Sequence, residues 1–113
     1  MRLHHVGIAV EDLEEAKARY QSLGFRVVAE GEVAHQGVRV ALLRGEGEAL
    51  LELLSPLGPE TPVGRFLAKR GPGLHHLAFG GQPGELQQRI PFLAVLDLTD
   101  QRVGLRGHRV EPH

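Results

Sequence analysis

The chain has 113 residues and a formal net charge of −1 at pH 7, which predicts a single domain and gives no basic surface for nucleic acid. It contains no cysteine, and this excludes disulfide bonds and thiolate metal sites. Chemistry is therefore best sought among its seven histidines.

The start of the chain and its apolar runs predict a protein without a membrane partner. Charged residues follow the N-terminus too closely for a signal peptide, and no run approaches the roughly 20 apolar residues of a membrane span. We therefore expect a cytoplasmic protein.

Residues 1–58 are expected to form one β-α-β-β-β module. The apolar run 3–10 predicts a strand, and Asp12 with Glu15 forms the capping-box pattern that starts a helix. Gly24 is the predicted stop of this helix. Its inward stripe would consist of Leu13, Ala16, Tyr20 and Leu23. Three strand-like runs separated by Gly-containing turns follow at 25–33, 37–44 and 48–56.

A connecting helix is predicted over 61–71. Thr61 is its expected N-cap, Pro62 its first residue and Gly71 its terminator, with Phe66 and Leu67 facing inward.

The pattern then restarts, because "GLHHLAF" at 73–79 repeats "LHHVGIAV" at 3–10. The same offset maps the first helix onto about 83–94 and the next two strands onto 95–103 and 107–113, after which no counterpart of the last strand remains. We expect residues 73–113 to be an incomplete second module. The predicted fold class is α+β, with paired βαβββ modules in one domain over 1–113.

The repeated histidines predict a shared site. Because successive side chains of a strand point to opposite faces, His5 and His76 each fall on a face with small residues, as a ligand cleft requires. His4 and His75 fall on the opposite, helix-facing side, where we expect structural roles.

Glu52 lies among leucines in "ALLELLS", where an unpaired carboxylate is costly to bury. Two imidazoles and a carboxylate from three strands suit a divalent ion such as Zn, Co, Ni or Mn. Taken singly, His5 and His76 would more often be structural and Glu52 a solvated carboxylate. The repeat of His5 by His76 in the same phase favours the metal site.

Several runs resemble the vicinal oxygen chelate (glyoxalase/bleomycin resistance) superfamily and, within it, the methylmalonyl-CoA epimerases. They are "HHVGIAVEDLEEA", "QGVRVALL" and "LELLSPLGPETPVGRFLAKRGPGLHHLAF". The last run includes the predicted connecting helix. Glyoxalase I relatives share the histidine strands but generally lack this connector, so the resemblance favours the epimerases. The resemblance implies a glyoxalase-like fold with His5, Glu52 and His76 as metal ligands.

The resemblance also implies a reaction, in which a base removes the α-proton of an acyl-CoA thioester and a divalent metal stabilises the enolate. Family members carry a glutamate base directly before "QGV", where this chain has His35. Imidazole titrates near neutral pH and can replace it, although a residue in this turn can also be merely exposed. The family takes its fourth metal ligand, a glutamate, and the opposing acid from the last strand of the second module, and Glu111 is the only nearby carboxylate here. His35 and Glu111 are therefore the catalytic candidates.

Three functions stay open from the sequence. They are a metal-dependent epimerase or isomerase of an acyl-CoA, a glyoxalase I-like lyase, and a degenerate, non-catalytic domain of this fold that binds a small ligand. A sheet that lacks strands exposes backbone edges, which proteins often cover with another chain, so we also expect a homodimer.

Overall fold

The computed structural model describes residues 2–80 in full and, beyond them, the backbone of two strands at 93–97 and 104–108. No helix in this described part is long and apolar enough to cross a membrane. The elements in chain order are β1 (Arg2–Ala9), α1 (Leu13–Gln21), β2 (Arg26–Val33), a 3₁₀ turn (Ala34–Gln36), β3 (Val38–Arg44), β4 (Leu50–Pro56), α2 (Pro62–Arg70), β5 (Gly73–Gly80), β6 (Leu93–Asp97) and β7 (Gly104–His108).

The strands form one mixed sheet in the order β2-β3-β4-β1-β5-β6-β7. β1 runs parallel to β4 and antiparallel to β5, and every other neighbouring pair is antiparallel. β1 therefore sits between the two strands that carry Glu52 and His76. The sheet with its two helices confirms the predicted α+β class.

Helix α1 starts as the capping pattern predicts, because the Asp12 side chain accepts a hydrogen bond of 3.1 Å from the Glu15 backbone N–H. Leu13 is buried in a core cluster that also contains Leu43 and Leu53. The prediction that Leu23 faces inward is wrong, since this side chain is 71% exposed. The helix ends at Gln21, so Leu23 lies beyond its last turn and off the apolar stripe.

Helix α2 covers the other face of the sheet at one end of β1. The Thr61 hydroxyl accepts from the Gly64 backbone N–H at 3.0 Å, and Pro62 is the first helical residue, as predicted. Phe66 is buried in a cluster with Ala9, and Leu67 packs against that cluster. α2 thereby closes one end of the face on which His5 was expected.

The second half departs from the predicted offset. β6 begins two residues before the predicted strand 95–103 and pairs directly with β5, whereas β2 does not pair with β1. The predicted equivalence of this strand with β2 is therefore wrong. β6 pairs with the edge of β5 that lies away from β1. Most of the helix predicted at 83–94 lies outside the described residues, and its last two positions are strand.

Candidate metal centre

His5, Glu52 and His76 come together from three adjacent strands. Gly7 on β1 is the register partner of both Glu52 on β4 and His76 on β5, and His5 lies two residues before it. The Nε2 atoms of His5 and His76 are 2.9 Å apart. Oε1 of Glu52 lies 3.2 Å from Nε2 of His76 and 3.7 Å from Nε2 of His5. The three residues predicted from the sequence are thus in contact.

These separations fit a shared divalent cation. Ligand atoms about 2.1 Å from one ion lie about 3.0 Å apart at right angles and about 3.4 Å apart at tetrahedral angles. The three observed distances fall around these values, and the set is the one His/Glu cluster of the described residues whose donor atoms all lie within 4.8 Å of one another. Two imidazoles and one carboxylate are donors that Zn²⁺ and its neighbours accept.

The Glu52 carboxyl is partly buried but ionised. Burial opposes its charge, but the hydrogen bond from His76 and the nearby His5, His76 and His75 rings hold the pKa of this carboxyl below its usual value. The site therefore contains one anionic donor.

His5 is held neutral by its surroundings. Burial lowers its pKa from 6.5 to about 4, against the opposing effect of Glu52, and His76 and His4 lower it further. A neutral imidazole offers a lone pair on Nε2, which is the form that binds a metal ion.

Gly7 makes room for the His76 ring. A Cβ built on Gly7 would lie 2.1 Å from Cε1 and 2.3 Å from Nδ1 of His76. Any other residue at position 7 would occupy the space of the His76 ring. The small residue beside His5 was visible in the sequence, but its contact with His76 depends on the pairing of β1 with β5.

The prediction that His4 and His75 lie on the face opposite His5 and His76 is wrong. Nδ1 of His4 is 2.8 Å from Nδ1 of His5, and the same atoms of His75 and His76 are 2.7 Å apart. The reason is that the pairing of β1 with β5 shifts register twice. One shift lies between Leu3 and His5 on β1, and the other lies between Leu74 and His76 on β5. A bulge of this kind breaks the alternation of side chains, and no simple strand pattern reveals it.

A cleft of about 680 Å³ adjoins the site, and both Glu52 and His76 line it. His35 and Gln36, from the 3₁₀ turn, line the same cleft, so His35 shares this space with Glu52 and His76. Glu111 lies outside the described residues. Most of the remaining wall is apolar, formed by Val33, Val38, Val40, Leu42, Leu54 and Val63.

Gly37 fixes the turn that carries His35. Its φ of 68° lies in the left-handed region, and its carbonyl accepts a hydrogen bond of 2.9 Å from the Leu57 N–H. A Cβ there would come within 2.5 Å of the Thr61 side chain. The turn is thereby packed against the start of α2.

Several proteins of known identity are similar to this chain. The chain is 35% identical to the mitochondrial methylmalonyl-CoA epimerase of Bos taurus over 104 residues, which cover 90% of the chain and 55% of the bovine protein. The crystal structure of the Mycobacterium tuberculosis methylmalonyl-CoA epimerase matches with a TM-score of 0.65 and 44% identity, over 67% of this chain and 52% of that one.

A Streptomyces coelicolor methylmalonyl-CoA epimerase variant in complex with 2-nitronate-propionyl-CoA matches with a TM-score of 0.68 and 36% identity, over 77% of this chain and 66% of that one. The chain spans about half the length of the curated relatives it matches. The model of the glyoxalase/bleomycin resistance protein/dioxygenase superfamily matches residues 4–90. The chain belongs to this superfamily, as its histidine strands and connector predict.

Proposed function

We propose that the protein is a metal-dependent epimerase that acts on acyl-CoA thioesters of the methylmalonyl-CoA type. The observation that carries this proposal is that Glu52, His76 and His35 line one cleft, so a cation site and a histidine that could act as a base lie on the same space. The named relatives are methylmalonyl-CoA epimerases, one of them bound to an acyl-CoA analogue, and this supports the choice of substrate.

His5, Glu52 and His76 would hold the cation. A bound divalent ion would stabilise the negative charge that develops on the substrate oxygens when the α-proton leaves. The short contacts among the three donors keep them in place before substrate arrives. The apolar residues of the cleft wall, among them Val38, Val40 and Leu54, would contact the acyl group.

His35 would be the base that accepts the α-proton. The Nε2 atoms of His5 and His76 would bind the cation, so neither ring could also receive a proton there. His35 lies on the 3₁₀ turn and is one of the residues that line the cleft. A base in position typically contributes about 10²–10⁴-fold to the rate.

Glu111 is the proposed acid that returns a proton to the opposite side of the carbon. Inversion needs two groups on opposite sides, whereas exchange of the α-proton with solvent needs only one. Exchange of the α-proton therefore reports on His35 alone, whereas inversion at the carbon reports on His35 and Glu111 together.

The experiment follows the α-proton of methylmalonyl-CoA by ¹H NMR in D₂O, with Co²⁺-loaded protein and a control without protein. We expect metal-dependent loss of the signal with the wild type. His35→Ala should keep its Co²⁺ but exchange about 10²–10⁴-fold more slowly. His76→Ala should lose both metal and exchange.

Two results would contradict the proposal. Wild-type protein that binds Co²⁺ and methylmalonyl-CoA without exchange would be a non-catalytic ligand-binding domain. Turnover of a hemithioacetal instead of methylmalonyl-CoA would make it a glyoxalase-type enzyme.

We also propose a homodimer. β2 is an edge strand of the sheet, and most of its side chains are exposed, so its backbone edge is available to a second copy. Light scattering of the purified protein measures its mass in solution, and a monomer at all concentrations would contradict this.

A further inference from the structure

We propose that His4 and His75 are positioning residues that fix the ring orientation and tautomer of the two histidine donors, His5 and His76. This inference rests on the metal site of the proposed function. It assigns a role to two residues that are not donors themselves, because the donor cluster of the described residues consists of His5, Glu52 and His76.

The four rings form one continuous row. His4 contacts His5 through their Nδ1 atoms at 2.8 Å, His5 contacts His76 through their Nε2 atoms at 2.9 Å, and His76 contacts His75 through their Nδ1 atoms at 2.7 Å. In both His5 and His76, Nε2 faces the proposed cation site. Nδ1 faces the preceding histidine in the sequence, which is His4 or His75. The arrangement is the same on both strands.

The bulges produce this row. Regular strands would point His4 and His75 away from the donors, because successive side chains alternate. The register shifts at both pairs instead bring neighbouring rings to hydrogen-bonding distance. His75 also packs edge-on against Phe66 of α2, with ring centroids 5.0 Å apart, which holds that ring in place.

A cation bound by His5 and His76 would determine which nitrogen carries the proton in each of the four rings. A donor ring that binds through Nε2 and is neutral carries its proton on Nδ1. The atom that faces this proton is the Nδ1 of His4 or of His75, which must then be a bare acceptor. Without a cation, the contact between the two Nε2 atoms requires a proton on one of them, so the two donor rings need different tautomers.

The consequence is a measurable contribution to metal binding. Hydrogen bonds to the second nitrogen of a histidine ligand orient the ring and raise its basicity, and their loss typically weakens metal binding about 10–100-fold. His4 and His75 would supply these hydrogen bonds, one to each donor.

The test compares the affinity for Co²⁺ and the visible spectrum of the bound ion in wild type, His4→Leu and His4→Asn. Asparagine places its Oδ1 near the position of Nδ1 and keeps an acceptor, whereas leucine fills the space without one. We expect His4→Leu to bind Co²⁺ about 10–100-fold more weakly with an altered spectrum, and His4→Asn to recover most of the affinity. His75→Leu and His75→Asn should behave in the same way.

The outcomes separate this inference from the proposed function. Wild-type protein that binds no Co²⁺ overturns both. Wild-type binding and exchange with unchanged affinity and spectrum in His4→Leu and His75→Leu overturns this inference alone. If the leucine variants do not fold, ¹⁵N NMR of the Zn²⁺-loaded wild type decides: protons on Nδ1 of His5 and His76 and bare Nδ1 atoms on His4 and His75 are expected, and the opposite tautomers overturn the inference.

Discussion

Gly7 on β1 lies directly opposite His76 on β5, and a side chain at position 7 would overlap the imidazole ring of His76. The same glycine is the register partner of Glu52 on the other side of β1. His76 can reach His5 and Glu52 only because this position carries no Cβ.

Gly7→Ala is expected to weaken or abolish metal binding while the fold persists. The backbone of Gly7 needs no left-handed φ, and the atoms that a Cβ would strike belong to the His76 ring. The ring rather than the sheet should therefore move. Titration with Co²⁺ measures the affinity, and circular dichroism measures the fold.

Gly31→Ala is the matched control for this experiment. Gly31 is also a strand glycine, on β2, and a Cβ there meets nothing within 4 Å. Metal binding should be unchanged in this variant. Equal affinity in Gly7→Ala and Gly31→Ala would mean that His76 is not a ligand in the observed orientation.

Glu52→Gln should reduce metal affinity strongly, because it removes the anionic donor and leaves an amide of the same size. Glu48→Gln provides the control, since Glu48 is exposed and pairs with Arg2 away from the site. Isothermal titration with Zn²⁺ compares the two. Similar affinities would remove Glu52 from the ligand set.

The metal-free protein should lose stability as the pH falls from 6.5 toward 4. Burial lowers the pKa of His5 from 6.5 to about 4, so in this window the unfolded chain binds a proton that the folded chain does not. Acid therefore favours unfolding, and the contribution of neutral His5 is complete above pH 6.5. Urea unfolding at several pH values measures the free energy of unfolding. The decrease should be smaller in His5→Asn, and an equal decrease would show that His5 is not the group responsible.

Thr61→Ala should cost about 1 kcal/mol of the free energy of unfolding, because it removes the N-cap of α2. The hydroxyl of Thr61 accepts from the Gly64 N–H and donates to the Gly58 carbonyl. Thr61→Ser keeps both hydrogen bonds and should cost less. Thermal unfolding of the two variants checks this, and equal losses would assign the effect to packing of the methyl group.

Local signals in the sequence were enough to predict where α1 and α2 start and which three side chains meet. Asp12 and Thr61 cap α1 and α2 as their patterns indicate, because capping depends on residues close in the chain. His5 and His76 were predicted from strand alternation and the repeat, and Glu52 from its place among leucines. The structure brings the three side chains together, and their role as metal ligands stays a prediction.

The features that the sequence did not predict depend on contacts between strands. The bulges at His4 and His75 arise from the pairing of β1 with β5, and alternation within one strand gave the wrong face for both rings. Leu23 was misplaced because α1 ends at Gln21, two residues before the end of its apolar pattern. The place of β6 beside β5 is likewise a property of the whole sheet, which a sequence offset does not capture.

The most direct test is the metal content of protein purified without a histidine tag, compared with that of His5→Ala and His76→Ala. About one divalent ion per chain in the wild type, lost in both variants while circular dichroism shows an intact fold, is the predicted result. No metal in the wild type, even after incubation with Co²⁺, Ni²⁺, Mn²⁺ or Zn²⁺, or full retention of metal in both variants, would contradict the account.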